Sequence, residues 1–167
     1  MVDVQSVNVS AVTAPVQANV LRRAQATQKP PKSIAKPEKN SMKFNGQRID
    51  VNKMTQYLQG ITRQTTTRKC ARSVRLALQA AGARFKSHPV AAADWGSTLT
   101  QIGYRKINLA FDRPQKGDIY IIDRTASNRY GHIAAYSGQA WVSDFKQRSH
   151  AVYKNKNVKY EYYRLAF

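Results

Sequence analysis

The spacing of apolar residues changes twice along this chain, and each change marks an element. Between residues 49 and 62 (IDVNKMTQYLQGIT), Val51, Met54, Tyr57, Leu58 and Ile61 fall on one face of a helix. The same period returns over residues 65–82 (TTTRKCARSVRLALQAAG), where Cys70, Val74, Ala77 and Ala81 share a face with Leu78 beside them. Thr66 or Thr67 is suited to cap that helix at its start, and Gly82 to stop it. Residues 87–104 (SHPVAAADWGSTLTQIGY) predict a third helix, with Pro89 near its start, Gly96 inside it and Gly103 past its end. From there the period becomes two. Residues 117–123 (GDIYIID), 132–138 (HIAAYSG), 140–145 (AWVSDF) and 158–167 (VKYEYYRLAF) read as strands, with Gly138-Gln139 at a tight hairpin. Helices first and an antiparallel sheet after them is an α+β layout.

Residues 1–45 have a different texture, rich in Ala, Val, Gln, Ser, Pro and Lys. The Pro/Lys run at 28–41 (QKPPKSIAKPEKNS) carries too little apolar surface to order itself, and residues 11–26 offer a weak helix with Pro15 near its start. The expected organisation is a flexible N-terminal arm, 1–45, and one folded domain, 46–167. The 167 residues suffice for one core of ordinary size. A single cysteine excludes an intramolecular disulfide framework. No apolar run is long enough to span a membrane, and the first residues lack the basic and continuous apolar regions of a Sec signal. An extracytoplasmic role therefore predicts release by a dedicated secretion machine or by lysis.

Charge narrows the partners. The formal net charge is +19, and residues 47–167 hold 21 Lys and Arg against 7 Asp and Glu, so +14 resides in the folded part. Such a surface is drawn to polyanions: nucleic acid, anionic lipid, teichoic acid or peptidoglycan. Charge alone does not choose among them, and it also serves solubility.

Candidate chemistry centres on Cys70. A helix N-terminus presents unpaired N–H groups and the positive end of its dipole, which favour a thiolate. Arg68 and Lys69 add positive charge beside the sulfur, where they oppose the dipole and suit an anion instead. A lone cysteine is more often a small core residue than a nucleophile. What favours chemistry is His132, 62 residues later at the start of a strand, as a base for the thiol.

The order of a helix-borne Cys70, a PQKGDIYII strand and then GHIAAYSGQAWVSDFKQ resembles the NlpC-type and CHAP papain-like superfamily of cell-wall peptidases and amidases. The run from Gly131 to Gln147 is similar to peptidoglycan amidases delivered as type VI secretion effectors or carried by phage and bacteriocin systems. The likeness covers roughly residues 50–150. One departure is the Arg68-Lys69-Cys70-Ala71 context, where the superfamily often has D-C-S-G. The resemblance implies a papain-like fold and a cysteine hydrolase acting on an amide bond of the peptidoglycan stem peptide or crosslink. It needs no metal and no other cofactor, and acts in the periplasm of a target bacterium. It also implies a cognate immunity protein, expected to be acidic.

In that arrangement a third group on the following strand orients the imidazole. Asp144 is the first choice, because a carboxylate accepts the ring N–H and stabilises the imidazolium. Ser143 and Gln147 are the alternatives, and strand alternation puts Ser143 and Asp144 on opposite faces. Arg68, Lys69, Arg129, Tyr130 and Trp141 are candidate substrate contacts. Asp118 reads as a structural turn residue, and His88 and His150 as surface histidines. Two other function classes compete: the same thiol chemistry directed at a host protein as deamidase or protease, and a non-enzymatic basic module that binds nucleic acid. No RNP, zinc-finger or KH signature supports the last.

Overall fold

The computed structural model describes residues 41–44 and 47–166. Of the expected arm, 1–45, residues 1–40 and 45, with the weak helix and most of the Pro/Lys run, lie outside them, and residues 41–44 form a strand. Strand β1 (Ser41–Phe44) pairs antiparallel with β2 (Gln47–Asp50) as a hairpin. Asp50 ends β2 and caps α1 (Val51–Ile61), its carboxylate accepting the Lys53 N–H at 3.1 Å. Of the predicted apolar face, Met54 and Leu58 are buried, whereas Tyr57 and Ile61 lie on the exposed margin.

Helix α2 spans Cys70–Ala80 and buries Val74, Ala77 and Leu78 against the sheet and α1. It stops where predicted: Gly82 sits at φ +97°, and a Cβ there would stand 2.8 Å from the Arg48 carbonyl oxygen. Its start differs from expectation. Lys69 occupies the capping position with no side-chain cap, and neither Thr66 nor Thr67 takes that role.

The predicted long third helix is broken into pieces. Only a 3₁₀ turn at Ala92–Asp94 and a short α3 (Gly96–Gln101) are helical. Trp95 explains the break. Its ring is fully buried and its indole N–H donates to the Pro89 carbonyl at 3.1 Å, folding the segment inward. The chain then enters a strand the periodicity does not announce, β3 (Tyr104–Ile107).

The remaining strands are β4 (Ile119–Ile122), β5 (His132–Tyr136), β6 (Trp141–Val142) and β7 (Tyr160–Leu165). They form one antiparallel sheet in the order β3-β7-β4-β5-β6, so the molecule is α+β as predicted. Both faces of this sheet are covered. Ile119, Ile121, Ile133, Ala135 and Tyr163 meet the helices. Tyr120, Ile122, Ala134, Trp141 and Tyr162 meet a second, aromatic layer supplied by loops, in which the Phe111 ring packs edge-on to Tyr120, Trp141, Tyr160 and Tyr162. Asp118 anchors the start of β4. It is buried, accepts two bonds from the Arg164 guanidinium at 2.8 and 2.7 Å, and also accepts from the Tyr162 hydroxyl at 2.6 Å. A carboxylate so fully paired is structural.

Candidate active site

The site forms where the N-terminus of α2 meets the first residues of β5. Cys70 is the only cysteine, partly buried and unpaired. Backbone N–H groups of Ile133, Ala71 and Cys70 itself lie near enough to the sulfur to favour its charged form. Ile133 follows His132 directly, so the thiol lies at the mouth of the histidine strand. Gly131 makes the entry to that strand possible. It adopts φ +66°, and a Cβ there would fall 2.3 Å from the Ile122 carbonyl oxygen and 2.9 Å from the Ala93 Cβ.

His132 is buried, and its Nε2 is 2.7 Å from the Gln147 Oε1. The amide of Gln147 is held on its other side. Its Nε2 donates to the Tyr120 hydroxyl at 2.7 Å and to the Ser149 carbonyl at 3.1 Å. The Tyr120 hydroxyl in turn donates to the His150 carbonyl at 3.0 Å, so it receives rather than gives the Gln147 bond. With both amide hydrogens used, Oε1 must face the imidazole. His132 therefore carries its proton on Nε2 and leaves Nδ1 as the basic nitrogen.

Asp144, expected beside the imidazole, is bonded elsewhere. Its Oδ2 accepts from the Thr67 N–H at 2.5 Å, the Thr67 hydroxyl at 3.0 Å, the Thr66 hydroxyl at 3.1 Å and the Lys69 N–H at 3.4 Å. Ser143 donates its hydroxyl to Oδ1 at 3.1 Å. The main chain reinforces this clamp, with Arg63 N–H to the Asp144 carbonyl and Lys146 N–H to the Arg63 carbonyl, both 3.0 Å. Asp144 thus fixes the loop that delivers Cys70. The physical reason is that β6 ends at Val142, so strand alternation does not extend to Asp144, and the chain turns until Gln147 reaches the histidine.

Electrostatics follow from burial. Burial pushes the Cys70 thiol up; the Ile133 N–H pulls it down, the Asp144 charge pushes it up again, and the net direction is up. Burial pushes the His132 imidazole down, against the Gln147 bond and the Asp144 charge, and the net direction is down. The pair rests as thiol and neutral imidazole, in contrast to the thiolate expected from the helix dipole alone. Burial alone would raise the Asp144 carboxyl, yet its bonds from Thr67, Lys69 and Ser143 hold it below the ordinary carboxylate range.

The fold of this chain resembles that of a type VI secretion effector. Its likeness is to Tae3, in the Tae3–Tai3 effector–immunity complex from Ralstonia pickettii, at 27% identity with a TM-score of 0.60, covering 70% of this chain and 98% of the other. The selenomethionine form of the same complex matches at 27% identity and a TM-score of 0.58, covering 67% and 99%. No protein-family profile and no curated protein sequence matches the chain.

The remaining candidates divide. Tyr130 is 64% exposed and adjoins Gly131-His132, with the exposed Arg129 before it, so both stand on the rim. Trp141 does not line the cleft. It is buried in the aromatic layer against Tyr120, Tyr136 and Tyr162. Arg68 is exposed in the left-handed region at φ 60°, and Lys69 is exposed at the start of α2. His88 is exposed and close to Arg75, whereas His150 stacks on Phe111 at 3.8 Å. One residue not singled out for the site is Tyr153. Its hydroxyl donates to the Gly131 carbonyl at 3.1 Å and accepts from the Asn128 amide. Burial first, then the Cys70 charge, push it up to about 12. No short motif marks Tyr153; loop closure alone brings it there. Among the described residues no three His, Cys, Asp or Glu side chains converge as metal ligands, and no helix is long and apolar enough to cross a membrane.

Proposed function

We propose that this protein is a peptidoglycan-degrading cysteine amidase or endopeptidase of the papain-like NlpC/CHAP type, delivered as an antibacterial type VI effector. The observation that carries the reading is the Tyr120–Gln147–His132 chain beside the thiol at the start of α2. A buried histidine whose tautomer is fixed, next to the only cysteine, is the equipment of thiol acyl transfer. The likeness to Tae3 supports the effector class.

In this mechanism the Cys70 sulfur attacks the amide carbonyl while its proton passes to His132 Nδ1. The N–H groups at the start of α2 have no intrahelical acceptors and face the oxyanion as it develops. Collapse breaks the C–N bond, and His132 gives its proton to the departing amine. Water, deprotonated by His132, then cleaves the thioester and restores the thiol. Gln147 keeps the imidazole in register throughout by accepting the Nε2–H. Asp144 acts at one remove, holding the 66–69 loop and with it the sulfur.

Delivery to the periplasm of a target cell, and an acidic immunity protein in the producer, complete the proposal. The test is digestion of purified Gram-negative sacculi by wild type, Cys70→Ala and His132→Ala, with fragments identified by mass spectrometry. New muropeptides from wild type alone are expected. Intact sacculi with all three proteins would overturn the reading.

A further inference from the structure

A surface depression near the start of α2 is lined by residues other than the thiol. It is a groove of about 540 Å³ that starts at Lys69, the residue before Cys70, and runs between the outer side of α2 and the end of α1. Ile61 and Leu76 supply its apolar lining, and Arg63, Lys69, Arg72 and Asp144 its charge. The cations prevail three to one, and the carboxylate is already bonded to the 66–69 loop and Ser143. Among the described residues none of these three cations has an ion-pair partner.

Two features make this more than a generic basic surface. The first turn of α2 holds no acidic residue, and Lys69 and Arg72 stand there against the helix dipole, a local cost that a bound anion relieves. Arg63 is also set in place, because its main chain bridges to Phe145 and bonds on both sides to the 144–146 segment. The cations are thus carried by a fixed loop and a helix, which limits the ordering cost of binding.

We infer that this groove is an anion subsite that recognises a free carboxylate of the stem peptide. This rests on the amidase reading above. A carboxylate flanked by aliphatic carbons suits three cations above Ile61 and Leu76. A nucleic acid would call for aromatic stacking surfaces, and the groove has none. The groove begins at Lys69, the residue before the nucleophile, so a ligand in it sits at the helix start that also carries Cys70.

The experiment compares two synthetic stem tetrapeptides, one with free carboxylates and one with them amidated, cleaved by wild type and by the Arg63→Ala/Arg72→Ala double variant. Both side chains are exposed and unpaired, so folding is retained, checked by circular dichroism. Wild type is expected to prefer the free acid by about tenfold or more in kcat/KM, a typical worth of a charge-assisted bond. The double variant is expected to lose that preference through KM, with kcat little changed. Equal preference in wild type and variant would overturn the subsite while leaving the amidase reading intact. No cleavage by wild type of either peptide or of sacculi would instead count against the amidase reading itself.

Discussion

At the residue scale, the chemistry depends on which atom holds which proton. His132 is pushed below the ordinary imidazole value, so its basic, neutral form persists to lower pH than that of a free histidine. Cys70 is pushed up, so the free enzyme holds a thiol. The acid limb of kcat/KM is therefore expected below about 6.5, the unperturbed imidazole value. Alkylation of the free enzyme by iodoacetamide should accelerate only as pH rises through the alkaline range. A fast alkylation plateau between pH 5 and 8 would instead reveal a resting thiolate–imidazolium pair and refute this assignment. Gln147→Ala provides the companion measurement. It removes the acceptor that fixes Nε2–H, and kcat should fall on the order of 100-fold, the scale of lost general-base action. Of these residues, Cys70 and His132 are legible in the sequence because each lies at the start of a clear periodic segment. Gln147 is legible only as an alternative, since its reach depends on how the chain turns after Val142. Tyr120 reads as ordinary strand packing, because nothing local shows that its hydroxyl meets an amide 27 residues away.

At the element scale, the decisive piece is the loop between α1 and α2. An amphipathic period announces both helices, and alternation announces β4, β5 and β7, since their apolar contacts are local in pattern. The strand β3 is hidden because Arg105 and Lys106 interrupt its alternation at the sheet edge. The clamp of Asp144 on residues 66–69 is hidden too, being built from hydrogen bonds spanning more than 70 positions. That clamp fixes the loop ahead of α2, in which Arg68 adopts its left-handed conformation. The Asp144 carboxyl is held below its ordinary range in the folded state. A group depressed in this way contributes stability above its unfolded value, near 3.9, and loses it as pH falls through the folded value. Wild type should exceed Asp144→Asn in urea midpoint at pH 7, and the gap should close well below pH 4. A gap that stays constant down to pH 2 would show that the ionised carboxylate is not what holds the loop.

At the scale of the whole molecule, fold and charge are separate devices. The core consists of two apolar layers on a sheet, and among the described residues the ion pair with a buried partner is that of Asp118 with the partly exposed Arg164. Most of the 21 cations of residues 47–167 are therefore available to an outside polyanion. Attraction of this kind is long-ranged at low salt and is screened over about 10 Å at 0.1 M ionic strength. The anion subsite beside Cys70 is different, because it acts at contact distance in a groove and is screened less. Raising salt should then separate the two. With Cys70→Ala, which binds without cleaving, retention on purified sacculi should fall steeply from 50 to 500 mM salt. With wild type on a short soluble stem peptide, kcat/KM should fall much less over the same range. Equal salt sensitivity in both assays would mean that the general field, not the groove, governs recognition. Retention insensitive to salt would mean that the net charge plays no part in bringing the protein to the wall.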